Sequence, residues 1–239
     1  MKLILIILII LIIRIIYVIY NVYKNYMLSK ICQKQLIINK ILLKDIKYNL
    51  QTGDLILFNY NHAEIWTRIF GNTMYSHIGI IIKIDNEFYI YEIIKDDYKY
   101  KGKKYQNVQL SNLDDRINNY VGNVYIGLLK NKLSDEQLNL VYKYIDNHKN
   151  IKFGNILSFF INIVLGININ NTYFCNELIS NLLDNINLST KKLTTKPYLI
   201  STNIINLLGD THYDPLHIIP DKLLVSNNNI LSNKNINMC

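Results

Sequence analysis

The stretch SHIGIIIKIDNEFYIYEII, residues 76–94, contains two runs of β-forming residues around Asp85-Asn86. Branched and aromatic side chains dominate both runs, and a turn-forming Asp-Asn pair between such runs is typical of a two-residue hairpin loop. The stretch therefore predicts two antiparallel strands, 77–84 and 87–94, as the centre of the fold.

The register of this hairpin brings two polar side chains to one face. With a two-residue turn, Gly79 pairs with Glu92, and His77 lies two residues before Gly79 on the same face. His77 and Glu92 are then diagonal neighbours, and Gly79 leaves room between them. A carboxylate beside an imidazole can fix its tautomer and stabilise its protonated form. The alternative is a solvent-facing Glu92, which a one-residue change of register would produce.

Strand and helix signals on either side extend the hairpin into a mixed fold. Strands are expected at short apolar runs, namely 55–58 after the turn Gly53-Asp54, 106–110 and 123–129. Helices are expected from Ser111 to 119, from the capping box at Ser134 to 147 and over 172–186, with further helical segments at 62–70 and 201–208. Strands in the middle of the chain with helices around them predict an α+β fold with an antiparallel sheet packed with helices.

Cys175 is placed in the first turn of the helix predicted at 172–186. The N–H groups and the positive dipole end at a helix start stabilise a thiolate, and they also stabilise an oxyanion. A thiol there that faces a sheet-borne imidazole such as His77 has the arrangement of a nucleophilic cysteine. The alternative is a small hydrophobic residue of the core, since free cysteine is among the most buried residue types.

Three motifs together resemble the circularly permuted branch of the NlpC/P60 (papain-like) superfamily. They are Gly53-Asp54-Leu55, Ser76-His77-Ile78-Gly79-Ile80 and Phe174-Cys175-Asn176-Glu177-Leu178. The branch includes YiiX/YaeF-like proteins and poxvirus-type members, and the histidine motif precedes the cysteine motif in it, as it does here. The resemblance covers about residues 51–225.

The resemblance implies a papain-like catalytic domain that hydrolyses or transfers acyl groups. Cys175 would be the nucleophile, His77 the general base and acid, and Glu92 the third, orienting member. The implied substrate is an amide- or ester-containing peptide or lipid, with no metal or organic cofactor. Asn176 departs from the serine usual at that position, which is not catalytic in the pattern. Two alternatives stay open, a catalytically inactive papain-like membrane scaffold and a lipid-binding protein.

Other polar residues are expected to be structural. Asp54 is interpreted as a turn residue. Four histidines match no catalytic position of the resemblance, namely His62, His148, His212 and His217. The three cysteines, Cys32, Cys175 and Cys239, are far apart and form no Cys-x-x-Cys pair, so neither a disulfide framework nor a zinc site is expected.

The positive charge is concentrated at the N-terminus. The chain of 239 residues carries a formal charge of +8, with 26 basic and 18 acidic residues. Eight basic residues and one acidic residue lie within 1–47, so this segment carries +7 and the rest of the chain +1. A nucleic-acid-binding domain would need its basic surface on the folded part, so we expect no nucleic-acid partner. The charge instead indicates a membrane surface.

The N-terminal segment predicts a single-pass membrane anchor. Residues 3–20 are apolar except for Arg14, and a helix of that length and a few further residues measures roughly 30 Å, enough to cross a bilayer. More lysines follow the apolar run than precede it, which favours a cytoplasmic side for the rest of the chain. A cleaved signal peptide is the alternative, although no small-residue cleavage site follows.

The sequence thus divides into four parts: an anchor at 1–23, a basic juxtamembrane connector at 24–50, a catalytic domain at 51–226 and an Asn-rich, disordered tail at 227–239. The apolar stretch 155–167 is too short to span a membrane and is expected to be a buried helix or a pocket wall. Together with the anchor it favours a lipid-linked or membrane-proximal substrate. The chain is rich in Ile, Asn, Lys and Tyr, with 19 Tyr residues, which indicates an AT-rich coding genome. This composition and the poxvirus-type resemblance favour a viral source, a large DNA virus.

Overall fold

The structure is a computed structural model that describes residues 40–59, 75–94, 99–100, 103–104, 107–154, 172–188, 211–213 and 215–221, and nine positions between 9 and 23. Four predicted segments lie outside the described residues, namely 62–70, which includes His62, 155–167, 201–208 and the tail at 227–239.

A seven-stranded sheet forms the centre of the described domain. In spatial order its strands are β1 (Lys40–Leu42), β11 (Leu216–Ile219), β8 (Asn123–Gly127), β2 (Leu55–Asn59), β3 (His77–Ile84), β4 (Glu87–Ile93) and β7 (Val108–Asn112). Neighbouring strands are antiparallel except for the parallel pair β1 and β11. Two short ladders join β5 (Lys99–Tyr100) to β6 (Lys103–Lys104) and β9 (Lys152–Phe153) to β10 (Thr172–Tyr173).

Helices cover both faces of the sheet, as alternation of side chains along its strands requires. The helices are α1 (Leu43–Lys47), α2 (Leu113–Asn118), α3 (Asp135–His148) and α4 (Cys175–Asn185). Residues of α3 and α4 share one apolar core with Leu57 and Ile80, whereas α1 and α2 share the other with Ile56 and Ile81. This mixed architecture confirms the α+β class.

The hairpin of β3 and β4 forms in the register that the sequence predicts. Ile84 pairs with Glu87 and Ile80 pairs with Tyr91. The two loop residues, Asp85 and Asn86, have φ angles of 47° and 66°. Positive φ at both positions is the mark of a type I′ turn, whose twist matches that of the strands. The second strand ends at Ile93, one residue earlier than expected.

The start of α2 differs from the expectation that Ser111 caps it. Strand β7 continues through Asn112, and the Asn112 Oδ1 atom accepts the backbone N–H of Asp115 at 3.1 Å. Ser111 is therefore a strand residue, and its hydroxyl donates to a side chain of β4. The Ser134 cap of α3 is confirmed, because its hydroxyl accepts the N–H of Gln137 at 3.2 Å.

The described part of the predicted connector belongs to the folded domain. Strand β1 pairs with β11 at the edge of the sheet, and Leu43 and Ile46 of α1 are fully buried. Most of the predicted anchor lies outside the described residues, and its nine described positions are helical. Among the described residues, no helix has the length and apolar composition needed to cross a bilayer.

The Gly53-Asp54 turn is held by buried polar contacts. The Asp54 carboxylate accepts the N–H of Gln51 at 2.7 Å with one oxygen and the N–H of Leu129 at 2.8 Å with the other. Burial raises the pKa of Asp54 to about 6, although these two hydrogen bonds act to lower it. The Gly53 carbonyl lies 3.0 Å from His212 Nε2. Asp54 thus joins the start of β2 to the segment after β8.

Replacing Asp54 with Asn is expected to destabilise the domain by about 1–3 kcal/mol, because the amide keeps one acceptor and turns an NH₂ group toward the other buried N–H. Urea unfolding followed by circular dichroism measures the change. Asp85→Asn is the matched control, since it makes the same substitution in an exposed turn at φ 47°, where Asn is well tolerated. Equal effects of the two substitutions would contradict this role of Asp54.

Candidate active site

His77 and Glu92 meet in the structure as the hairpin register predicts. His77 is the first residue of β3, and its Nε2 atom lies 2.7 Å from Glu92 Oε2. The Phe58 ring packs beside the imidazole, with 5.4 Å between the ring centroids. Glu92 has no exposed surface, which excludes the alternative of a solvent-facing residue. Its carboxylate is therefore committed to internal partners.

Arg116 and Ser111 complete the surroundings of the Glu92 carboxylate. Arg116 donates from Nε to Oε1 at 2.8 Å and from Nη2 to Oε2 at 3.3 Å, and the Ser111 hydroxyl donates to Oε1 at 2.8 Å. Burial alone would raise the pKa of Glu92. The positive charges of Arg116 and His77, and the hydrogen bonds that both residues donate to the carboxylate, outweigh burial and lower this pKa to about 2. Glu92 is thus an anion at neutral pH.

Cys175 is the first residue of α4. The expected helix over 172–186 begins later, because Thr172 and Tyr173 form the short strand β10. The turn before the helix is fixed by Glu177, whose Oε2 atom accepts the N–H of Phe174 at 2.9 Å. Cys175 is half-buried, and its Sγ atom lies 3.7 Å from Asn176 Oδ1. The thiol therefore lies at the positive end of the α4 dipole.

His77 joins the thiol to the buried carboxylate. Burial acts to lower the pKa of His77, but hydrogen bonds and charge interactions with Cys175 and Glu92 raise it to about 9. The structure thus brings Cys175, His77 and Glu92 together, with the imidazole between the thiol and the carboxylate. This is the geometry that a thiol nucleophile and its acid–base partner require.

The sequence reasoning missed Arg116 and Ser111. Their approach to Glu92 depends on the pairing of β7 with β4, in which Ser111 lies opposite Ile90 on the face of Glu92. That pairing joins two strands separated by residues 94–107, whereas only Asp85-Asn86 separate β3 from β4. One feature of the sequence indicated a role for Arg116, which lies between the apolar residues Leu113 and Ile117 of a short helix. A basic residue in such a position is seldom buried unless an anion pairs with it.

The other described histidines have structural contacts outside this cluster. His212 binds the Gly53 carbonyl, His148 stacks on Tyr144 and His217 stacks on Tyr125. Burial lowers the pKa values of His212 and His217, in the opposite direction to His77. Among the described residues, no group of three or more His, Cys, Asp or Glu side chains is placed to hold a metal ion.

The chain has a distant structural neighbour among solved structures. No protein-family profile matches the chain, and no curated protein matches it. The chain is similar to the crystal structure of the metalloprotein YiiX from Escherichia coli O157:H7, with 16% sequence identity and a TM-score of 0.43. The match covers 57% of this chain and 66% of the YiiX chain, so it spans just under two thirds of that protein.

The ring resonances of His77 are expected to titrate near pH 9 in NMR, above the ordinary value of 6.5. In Cys175→Ala the titration moves toward 6.5, because one of the two partners that stabilise the charged ring is removed. His212 is the internal control and titrates below 6.5, because it is buried. A wild-type His77 titration at or below 6.5 would contradict the described electrostatics.

The same shifts predict how stability depends on pH. The folded-state pKa of His77 is raised, so its contribution is complete below pH 6.5 and is lost as the pH rises through about 9. The folded-state pKa of Glu92 is lowered, so its contribution is complete above about pH 4.5 and is lost as the pH falls toward 2.

Proposed function

We propose that the protein is a cysteine hydrolase or acyltransferase that acts on an amide or ester through an acyl-enzyme. Cys175 is the nucleophile, His77 the general acid and base, and Glu92 the residue that orients His77. The observation that carries the proposal is the continuous contact from the half-buried thiol at the start of α4, through the His77 ring, to a buried carboxylate. The order of the three motifs along the chain supports a permuted papain-like domain.

In the first step the Cys175 sulfur, as thiolate, attacks the substrate carbonyl carbon. A C–S bond forms, and the carbonyl electron pair moves to the oxygen, which the N-terminal dipole of α4 stabilises. The tetrahedral species then collapses, and the bond to the leaving amine or alcohol breaks. The His77 imidazolium gives that leaving group its proton, which leaves a thioester on Cys175 and a neutral imidazole.

In the second step water or an acceptor attacks the thioester. His77, now neutral, takes the proton of the attacking hydroxyl or amine group. The C–S bond breaks, its electron pair returns to the Cys175 sulfur, the acyl group leaves as an acid or as a new ester or amide, and His77 is protonated again. Glu92 stays ionised throughout and holds the ring in the orientation that faces the thiol.

The proposal includes attachment to a membrane through residues 1–23. The nine described positions between 9 and 23 are helical, and each of these apolar or aromatic residues exposes between 46% and 63% of its surface. An exposed apolar helix followed by a basic segment, which carries +5 over residues 24–47, suits a lipid bilayer with an anionic surface. We infer a single-pass protein whose catalytic domain lies on the cytoplasmic side, where a lipid-linked amide or ester is a suitable substrate.

A chloroacetamide probe is expected to label Cys175 selectively at neutral pH. The variants are made in a Cys32→Ser, Cys239→Ser background, so that Cys175 is the only thiol. His77→Asn is expected to reduce the labelling rate about 100-fold, the size of a typical acid–base contribution. Mass spectrometry of the labelled peptide measures the rate. Equally slow labelling of Cys175 with His77 present and in His77→Asn would contradict the proposal. It would favour an inactive scaffold or a lipid-binding protein.

The orientation in the membrane has its own test. In sealed vesicles with the cytoplasmic side outward, external protease is expected to degrade the domain at 51–226 while the anchor remains with the lipid. A version that lacks residues 1–23 is the control and should not sediment with the vesicles. Complete protection of the domain from external protease would contradict the proposed orientation.

A further inference from the structure

A buried anion that must persist through proton transfer needs a counter-charge that does not titrate. Glu92 is fully buried, and a carboxylate taken out of water is costly unless it is paired. His77 is a partner that changes its charge, because the proposed reaction removes its proton in one step and returns it in another. Arg116 is protonated at every relevant pH. Arg116 therefore balances Glu92 while His77 is neutral.

The geometry of Arg116 also fixes the orientation of the carboxylate. The guanidinium binds both carboxylate oxygens, at 2.8 Å on Oε1 and 3.3 Å on Oε2. Ser111 adds a second short bond to Oε1, which leaves Oε2 to make its short bond with His77. The planar guanidinium, bound to both oxygens, restricts rotation of the Glu92 carboxylate. A lysine ammonium group, which acts as a single point charge, would not restrict it in this way.

Arg116 is itself held in place by aromatic rings. Only 2% of its surface is exposed, and its guanidinium carbon lies 4.5 Å from the centre of the Phe58 ring and 5.4 Å from that of Tyr120. Phe58 also contacts the His77 ring, so one aromatic side chain packs against both the cation and the imidazole. The Asn112 cap sets the start of α2, which positions Arg116 one turn later.

We propose that Arg116 is a positioning residue of the Cys175 site, which keeps Glu92 ionised and aims its Oε2 atom at His77. Ser111 assists by binding the opposite oxygen. This role rests on the proposed nucleophilic function of Cys175 and deepens it, because it names the group that makes Glu92 a fixed anion. Arg116 acts through Glu92 and touches neither the thiol nor, in this proposal, the substrate.

The test is the pH dependence of Cys175 alkylation by iodoacetamide, measured in the Cys32→Ser, Cys239→Ser background together with NMR titration of His77. In Arg116→Met the His77–Glu92 pair loses its neighbouring cation, so loss of the imidazole proton leaves an unbalanced buried anion. The His77 midpoint is therefore expected to rise by about one pH unit. Arg116→Lys keeps the charge, so the midpoint should stay while the alkylation rate falls about tenfold through lost orientation.

Two further variants separate positioning from general damage. Lys47→Met is the matched control, because it removes one cation from the same side of the sheet, where Lys47 pairs with Asp114 of α2. It should change neither the midpoint nor the rate. The second variant combines Glu92→Gln with Arg116→Met and so removes both buried charges. Because it leaves no unpaired buried carboxylate, it provides a folded protein for the alkylation assay if Arg116→Met alone unfolds. Because Arg116 acts through Glu92, the double variant should alkylate as slowly as Glu92→Gln alone.

The outcomes distinguish this inference from the proposed function. A folded Arg116→Met protein with an unchanged or lowered His77 midpoint would overturn the positioning role, and so would additive effects of the two substitutions in the double variant. If instead wild-type Cys175 reacts no faster than in His77→Asn, the proposed function fails first and the positioning role fails with it. A raised midpoint in Arg116→Met, unchanged in Arg116→Lys and Lys47→Met, supports both.

Discussion

The buried carboxylate of Glu92 is the group on which the rest of the site depends. Its oxygens accept hydrogen bonds from His77, Arg116 and Ser111, which come from three different elements of the fold. Without these donors a fully buried anion would be strongly destabilising. The hydrogen bonds that satisfy it join side chains of β3, β4, β7 and α2 on one side of the sheet. The same requirement orients the imidazole toward the start of α4.

The Cys175 thiol and the Glu92 carboxylate come from different parts of the chain, and both interact with the His77 ring. Cys175 belongs to a helix that packs with Leu57 and Ile80 on one face of the sheet, whereas Arg116 packs on the other face. His77 stands at the first position of β3, at the end of its strand, and can contact both. The raised pKa of His77 follows from this intermediate position, since both partners stabilise its charged form.

The local parts of this arrangement could be predicted from sequence, and the long-range parts could not. Two turn residues fix the hairpin register, and that register alone places His77 beside Glu92. Helix capping at Ser134 is equally local and was predicted correctly. The Ser111 prediction was wrong because the strand expected over 106–110 extends through Asn112, where it pairs with the distant strand β4. Strand β1 likewise depends on a distant partner, β11, so no local pattern revealed it.

The central claim is that Cys175 carries an acyl group during the reaction. Acid quenching of the protein in a native lysate, followed by mass spectrometry of the Cys175 peptide, tests this most directly. We expect a thioester adduct on Cys175 that hydroxylamine removes at neutral pH. The Cys175→Ser variant should lack this adduct. An unmodified Cys175 peptide under conditions that trap thioesters on other cysteine enzymes in the same lysate would contradict it.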